Sequence, residues 1–258
     1  MAALKREDFA WRSAHFSDTG KVRQLNEDAM LDRPDQRLWI VADGMGGHSA
    51  GDLASQLIVD ALQSFQPEGE SLGSLAEEIE RRLQQVNRQL QHESQRRGGG
   101  IIGSTVALLF AHEYYCLYLW AGDSRIYLYR RGSLKQLSRD HSQVEEQLEG
   151  VFGDVRSAGA ASIANYITRA VGAGETLQLE AELIEPCEGD RFLLCSDGLN
   201  KELSDAEIAG VLERYPLQEA AGRLLAQCLD RGASDNVTAI LVEVCSTAGG
   251  MNLTAQPK

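Results

Sequence analysis

The sequence predicts an α+β fold in which β-sheets pack together and helices lie outside them. Three observations carry that reading. Apolar residues recur at spacings of three and four in three separate stretches, the mark of amphipathic helices with one buried stripe. Six short runs rich in β-formers lie among them, each bounded by turn residues. Several of those runs are apolar at nearly every position, so both faces of their sheets are covered, and the short links between them point to antiparallel pairing.

In chain order, the first strand is 38–42 (LWIVA). A helix follows on Leu53, Leu57, Ile58, Ala61, Leu62 and Phe65, and a second on Leu72, Leu75, Ile79, Leu83, Val86 and Leu90, with Glu, Gln and Arg between. GGGIIG at 98–103 fits the glycine pattern of a dinucleotide site, but it follows a helix and precedes a strand, which is the wrong order. It is a flexible connection. Strands 105–111 and 114–121 form a hairpin through His112 and Glu113, and 125–130 (RIYLYR) and 191–195 (RFLLC) are further strands. The third helix carries Leu217, Ala220, Ala221, Leu224, Leu225, Cys228 and Leu229, and the last strand is 237–244. Residues 142–176 hold small residues among short apolar pairs and read as a mobile surface flap. Residues 246–258 read as a flexible tail, leaving one domain over 1–245.

Composition narrows the function. The chain has 258 residues, 43% hydrophobic and 24% charged, which excludes collagen, a disulfide scaffold and a mainly disordered chain. Its net charge of −13 repels nucleic-acid phosphates. It would repel a phosphorylated substrate too, unless something local reverses the sign. The cysteines, Cys116, Cys187, Cys195, Cys228 and Cys245, are scattered and form no CxxC, so they read as reduced buried thiols of a cytoplasmic protein. No signal peptide or membrane-spanning run is expected. There is no P-loop and no nucleophile elbow.

Aspartates placed where strands begin or end are the candidate chemistry. Asp43 follows WIVA, Asp123 follows LWAG, Asp197 follows FLLCS, and Asp235 precedes NVTAILVEV. They lie 80, 74 and 38 residues apart, so only folding can gather them. Singly, each reads as a turn residue. Together, four converging carboxylates cannot all stay ionised without compensation. Two Mg2+ or Mn2+ ions, which prefer oxygen ligands, would offset the four charges and create a local positive site for phosphate.

At these residues the sequence resembles the PPM (type 2C) family of metal-dependent Ser/Thr protein phosphatases, in its bacterial single-domain form. The resemblance runs through SDTGKVRQLNEDA at 17–29, VADGMGGHSAGD at 41–52, GSTV at 103–106, AGDSRIY at 121–127, LSRDHS at 137–142, LLCSDGL at 193–199 and SDNVTAILVEV at 234–244. It implies a four-layer α-β-β-α sandwich, two antiparallel sheets flanked by helices, with two Mn2+ or Mg2+ ions at one end. It implies Asp43 as the bridge between the metals, the Gly44 carbonyl on one of them, Asp197 and Asp235 on the other, and Asp28 acting through metal-bound water. It implies Arg23 on the substrate phosphate and Asp123 on a third, weaker ion. The resemblance thus implies Arg23, Asp43, Asp197 and Asp235 as the catalytic set, hydrolysing phosphoserine or phosphothreonine in proteins with a metal-activated water.

One position departs from relatives that carry His after the Asp-Gly pair: here it is Met45, and His48 lies three residues on. The resemblance then leaves proton delivery to water on the third ion. The family implies a phosphoprotein substrate and an opposing Ser/Thr kinase; the acidic charge and the lack of a spanning run predict no nucleic acid and no membrane, and the chain is expected to act as a monomer. SDGLNKELSD at 196–205 is similar to members that serve type VI secretion. Two other readings stay open: a catalytically silent regulatory domain on the same fold, which retention of Asp43, Asp197, Asp235 and Arg23 opposes, and a hydrolase of small phosphate esters. Of the neighbouring residues, Glu27 is expected to hydrogen-bond near Arg23 or a metal water, Asp18 and Thr19 to shape a turn, and Asn236 to orient the Asp235 loop. Asp140-His141 is expected to cap the following segment, and Trp39 and Trp120 to sit in the core.

Overall fold

The computed structural model describes residues 9–46, 50–67, 71–141 and 169–247. His48, most of the expected flap and nearly all of the expected tail lie outside these residues. The described chain forms two antiparallel sheets with helices against their outer faces, the layered sandwich expected from the sequence.

One sheet has five strands in the order β1 (Phe9–Asp18), β11 (Val237–Ser246), β10 (Arg191–Cys195), β7 (Arg125–Arg130) and β8 (Ser133–Gln136). The other has six: β2 (Asp28–Arg33), β3 (Leu38–Gly46), β5 (Val106–His112), β6 (Tyr115–Ala121) and β9 (Glu180–Ile184), with the short β4 (Ile102–Ser104) paired to the end of β3. Against the six-stranded sheet lie α1 (Gly51–Gln63) and α2 (Leu72–Arg96). Against the five-stranded sheet lie α3 (Asp197–Glu202), α4 (Asp205–Arg214) and α5 (Leu217–Arg231).

The continuous apolar runs are explained by the period of two along a strand. In β3, Trp39 and Val41 face the neighbouring sheet, while Leu38, Ile40 and Ala42 face α1 and α2. In β10, Phe192 and Leu194 face inward and Leu193 and Cys195 face the outer helices. Trp39 and Trp120 are buried between the sheets, as expected, and the indole of Trp120 donates to the Arg139 carbonyl at 2.8 Å.

Several elements exceed the sequence reading. β1, β2, β4, β8 and β9 are strands that alternate or are too short to stand out, and α3 and α4 are helices the apolar periodicity did not reveal. Strand β1 is half-exposed along most of its length and is specified by pairing with β11 from Phe9↔Ser246 to Asp18↔Val237. Helix α4 carries a capping box, Ser204 with Glu207, which is a legible S-x-x-E signal. The hairpin between β5 and β6 turns at Glu113–Tyr114, one residue later than expected, with Glu113 at φ +50°. The glycines at 98–100 connect α2 to β4, all with positive φ, which confirms the rejection of a dinucleotide loop. All five cysteines are free; Cys116, Cys195 and Cys228 are buried, but Cys187 and Cys245 are only partly covered.

Candidate active site

Strand register brings the candidate residues to one end of the sandwich. In the six-stranded sheet Asp28 pairs directly with Asp43. In the five-stranded sheet Arg125, Cys195, Ala239 and the end of β1 share one edge, so Asp197 leaves β10 and Asp235 enters β11 side by side. Asp123 lies in the turn from β6 to β7, where the chain crosses between the sheets. Of the four aspartates the sequence places at strand ends, Asp123, Asp197 and Asp235 lie there, and Asp28 begins β2, a strand the sequence did not reveal. Asp43 is the exception: it lies inside β3, which runs on to Gly46 because β4 pairs with it.

The sheets are tied together at this end by hydroxyls. Ser196 donates to Asp28 Oδ2 at 2.8 Å and accepts from the Thr238 backbone at 3.0 Å. Thr105 Oγ1 accepts from the Asp43 N–H at 2.9 Å and shares a hydrogen bond with Ser124 at 2.7 Å. Gly44 is forced by packing: a Cβ there would stand 2.0 Å from the Gly51 carbonyl oxygen and 2.6 Å from that of Glu27.

The loop that carries Arg23 is built on Asn236. Its amide nitrogen donates to the carbonyls of Thr19 and Leu25, each at 2.9 Å, and its oxygen accepts from the Glu27 N–H at 2.9 Å. Asp18 accepts from the Gly20 N–H at 2.8 Å and closes the expected turn. Asn236 thus orients the Arg23 loop as well as its own. Glu27 contributes through its backbone, accepting from Gly44 N–H at 3.1 Å and Ser55 Oγ at 2.6 Å, while its carboxylate raises the charge stability of Arg23.

Arg23 is half-exposed and clasps Asp235, Nε to Oδ1 at 2.9 Å and Nη2 to Oδ2 at 3.1 Å. Lys201, one turn after Asp197 on α3, bridges Asp197 Oδ2 at 2.5 Å and Asp235 Oδ2 at 3.2 Å. The sequence reading did not single out Lys201. Its i+4 spacing from Asp197 was visible, but only on a helix that was not expected.

Burial dominates the electrostatics. It pushes Asp28 up to about 6 against the hydrogen bond from Ser196, and Asp123 up to about 7 with help from the charge of Asp197. Burial, then the charges of Asp28, Asp197, Asp123 and Asp235, hold Asp43 well above the usual carboxylate range. Asp197 is raised by burial against the pull of Lys201. Burial would raise Asp235 as well, yet Lys201 and Arg23 hold it below its ordinary value.

Cation binding fits this donor set. Asp28 Oδ1, Asp123 Oδ1 and Asp197 Oδ1 are buried without a hydrogen-bond partner, and an unpartnered buried carboxylate oxygen is costly unless a cation faces it. Every donor is a hard oxygen, which suits Mg2+ or Mn2+. Among the described residues no three such side chains are already closed around a common point, and Lys201 is set between Asp197 and Asp235.

His141 was expected to cap the segment after it, which lies outside the described residues. The His141 ring is buried; its Nδ1 accepts from the Gly122 N–H at 3.1 Å, which leaves the ring proton on Nε2, 3.1 Å from Glu180 Oε1. It steadies the turn that holds Asp123. Arg125 donates to both oxygens of Asp140, with Nη2 at 2.7 Å from Oδ2.

Comparison with known proteins defines the class. The family model described as Protein phosphatase 2C matches residues 20–242, and the chain belongs to that family. Serine/threonine protein phosphatase PstP of Mycobacterium tuberculosis is 34% identical over 244 residues, 93% of this chain; the chain spans only 46% of that relative's length. Among solved structures, PppA, described as a key regulatory component of T6SS in Pseudomonas aeruginosa, is 44% identical with a TM-score of 0.84, covering 91% of this chain and 97% of PppA. The catalytic domain of PstP in complex with two manganese ions is 31% identical with a TM-score of 0.80, covering 93% of this chain and all of that domain.

Proposed function

We propose that this chain is a metal-dependent phosphatase of phosphoserine and phosphothreonine in proteins. The observation that carries the reading is the convergence of Asp28, Asp43, Asp123, Asp197 and Asp235 at one end of the sandwich, with three buried carboxylate oxygens left without partners. The two-manganese complex of PstP supports two ions here. Asp43 would bridge them, with the Gly44 carbonyl on one and Asp197 and Asp235 on the other. Asp28 would act through water, and Asp123 would hold a further, weaker ion. When bound, such ions acidify a water and neutralise charge on a phosphoryl group.

The chain's own residues do the rest. Asp28 accepts from Ser196, so its Oδ1 is aimed and free to orient a water. Arg23, on a loop pinned by Asn236, presents a planar fork to the equatorial oxygens of a phosphate once it releases Asp235. Met45 offers no proton, so the leaving alkoxide takes its proton from water.

The likeness to PppA supports a role in regulating type VI secretion, and a phosphoprotein substrate implies an opposing Ser/Thr kinase. Among the described residues no helix is long and apolar enough to cross a membrane. The test is hydrolysis of a phosphothreonine peptide with Mn2+ or with EDTA, beside Asp43→Asn. Activity that needs Mn2+ and is lost in the variant supports the reading. Activity that survives both changes refutes it, and hydrolysis of small esters alone replaces the substrate class.

A further inference from the structure

The buried face of α2 carries one polar residue, Asn87, set among Leu83, Val86 and Leu90. An amide on an apolar helix face is costly unless it is hydrogen-bonded. Asn87 engages both ends of its amide: Oδ1 accepts from the Gly172 N–H at 2.6 Å, and Nδ2 donates to the Gly174 carbonyl at 3.0 Å. On the same helix Gln84 donates to the Leu177 carbonyl at 2.9 Å, and Gln91 donates to that of Gly174. Residues 172–174 belong to the end of the stretch that the sequence predicts to be a mobile flap. That end is clamped to α2 instead.

A continuous set of hydrogen bonds joins this clamp to the carboxylate site. Gly172 turns at φ +94°, and a Cβ there would stand 2.3 Å from the Ile102 carbonyl oxygen, so the segment lies directly against β4. Val171, fully buried, exchanges two backbone hydrogen bonds with Ser104, each 2.9 Å. Ser104 is in turn the β4 partner of Gly44. The next residue, Thr105, holds the Asp43 backbone twice: its N–H donates to the Asp43 carbonyl at 2.9 Å, and its Oγ1 accepts from the Asp43 N–H at 2.9 Å. Gly103 is wedged in the same stack, since a Cβ there would meet the Val171 carbonyl oxygen at 2.8 Å and Met45 Cε at 3.4 Å. Asp43, Gly44 and Met45 therefore rest on residues 103–105, and these rest on Val171 and Gly172.

We propose that Asn87 is a positioning residue for the metal centre. By fixing Gly172 and Gly174 it locks the Val171–Ser104 bridge, and through that bridge it sets the backbone of Asp43 and Gly44, the residues that present a carboxylate and a carbonyl to the cations. The inference rests on the metal-dependent reading of the site. Asn suits the role because one amide offers an acceptor and a donor together, matching the Gly172 N–H and the Gly174 carbonyl. Partners that orient metal ligands from behind in this way govern affinity for the ion.

The experiment pairs calorimetric titration of the EDTA-stripped, dialysed protein with Mn2+, no substrate present, with hydrogen–deuterium exchange of the metal-free protein read over residues 102–106 and 169–173. Wild type is compared with Asn87→Ala and with Leu212→Ala, a truncation in the core beneath the five-stranded sheet that lowers thermal stability without touching this set of bonds. In Asn87→Ala the Ser104 and Val171 amides should lose protection, and Mn2+ affinity should fall by about tenfold. Leu212→Ala should melt earlier yet bind Mn2+ within about twofold of wild type. If Asn87→Ala loses its cooperative thermal transition, the isosteric Asn87→Asp takes its place with the same expected fall, since it drops the donation to Gly174. Unchanged exchange, or faster exchange with Mn2+ affinity unchanged, would overturn the inference while leaving the metal reading intact. An equal loss of Mn2+ affinity in Leu212→Ala would overturn it as well, as the mark of general destabilisation. Wild type that binds no Mn2+ would overturn the metal reading and the inference with it.

Discussion

Replacing Asn236 by Ala offers a direct test of how this site is held. Its side chain is buried and makes three hydrogen bonds, to the Thr19 and Leu25 carbonyls and from the Glu27 N–H, each at 2.9 Å. The alanine variant removes all three and strands two carbonyls and one N–H in a closed space. At about 1 kcal/mol net for each lost bond, the cost is roughly 3 kcal/mol. That is a large share of the ~5–15 kcal/mol by which most domains are stable. For a chain of this size it corresponds to a fall in Tm of roughly 6–12 °C. The loop it pins carries Arg23, so KM for a phosphopeptide should rise more than kcat falls, because phosphate binding is blurred while the carboxylates stay in place. Thermal unfolding by circular dichroism and steady-state kinetics in saturating Mn2+ read the two effects. A Tm within about 2 °C of wild type, with KM unchanged, would refute the claim that Asn236 builds this loop.

Two further outcomes follow from the same site. In the folded protein Asp28 titrates at about 6 and Asp123 at about 7, against 3.8 ordinarily, so between about pH 4 and 7 the folded state binds more protons than the unfolded chain. Their contribution to stability is present below about pH 4 and is lost as pH rises toward 7; Tm in EDTA should fall across that window, less steeply in Asp123→Asn, and Mn2+ should raise Tm more at pH 7.5 than at pH 5. Gly44→Ala would drive a methyl to 2.0 Å from the Gly51 carbonyl oxygen and 2.6 Å from that of Glu27, both backbone atoms that cannot swing away. It should cost about 3 kcal/mol or more, read as a lower midpoint in urea, with peptide hydrolysis reduced alongside because Asp43 moves with its neighbour.

The strands and helices legible in the sequence were those with strong one-dimensional patterns. The apolar runs at 38–42, 105–111 and 191–195 became central strands, covered on both faces as their composition required. Strands β1 and β9 lacked such a pattern, since most of their residues are exposed or half-exposed and their conformation comes from partners far along the chain. Helix α3 is only six residues long, too short for any period to show. The surroundings of Asp140 and His141 escaped a linear reading for a related reason: their partners Arg125, Gly122 and Glu180 are not local.

By itself the sequence determined which side chains can do chemistry and in what order they come: Arg23, Asp28, Asp43, Gly44, Asp123, Asp197 and Asp235, in motifs that resemble one family. Side-chain chemistry and local turn preferences are properties of short segments, so a linear reading reaches them. Only the tertiary structure decided which oxygens are left without partners, which are covered by Lys201 and Arg23, and that Asn236 holds the Arg23 loop from the far end of the chain. Those facts depend on burial and on contacts between residues as much as 217 positions apart, and no local pattern encodes them.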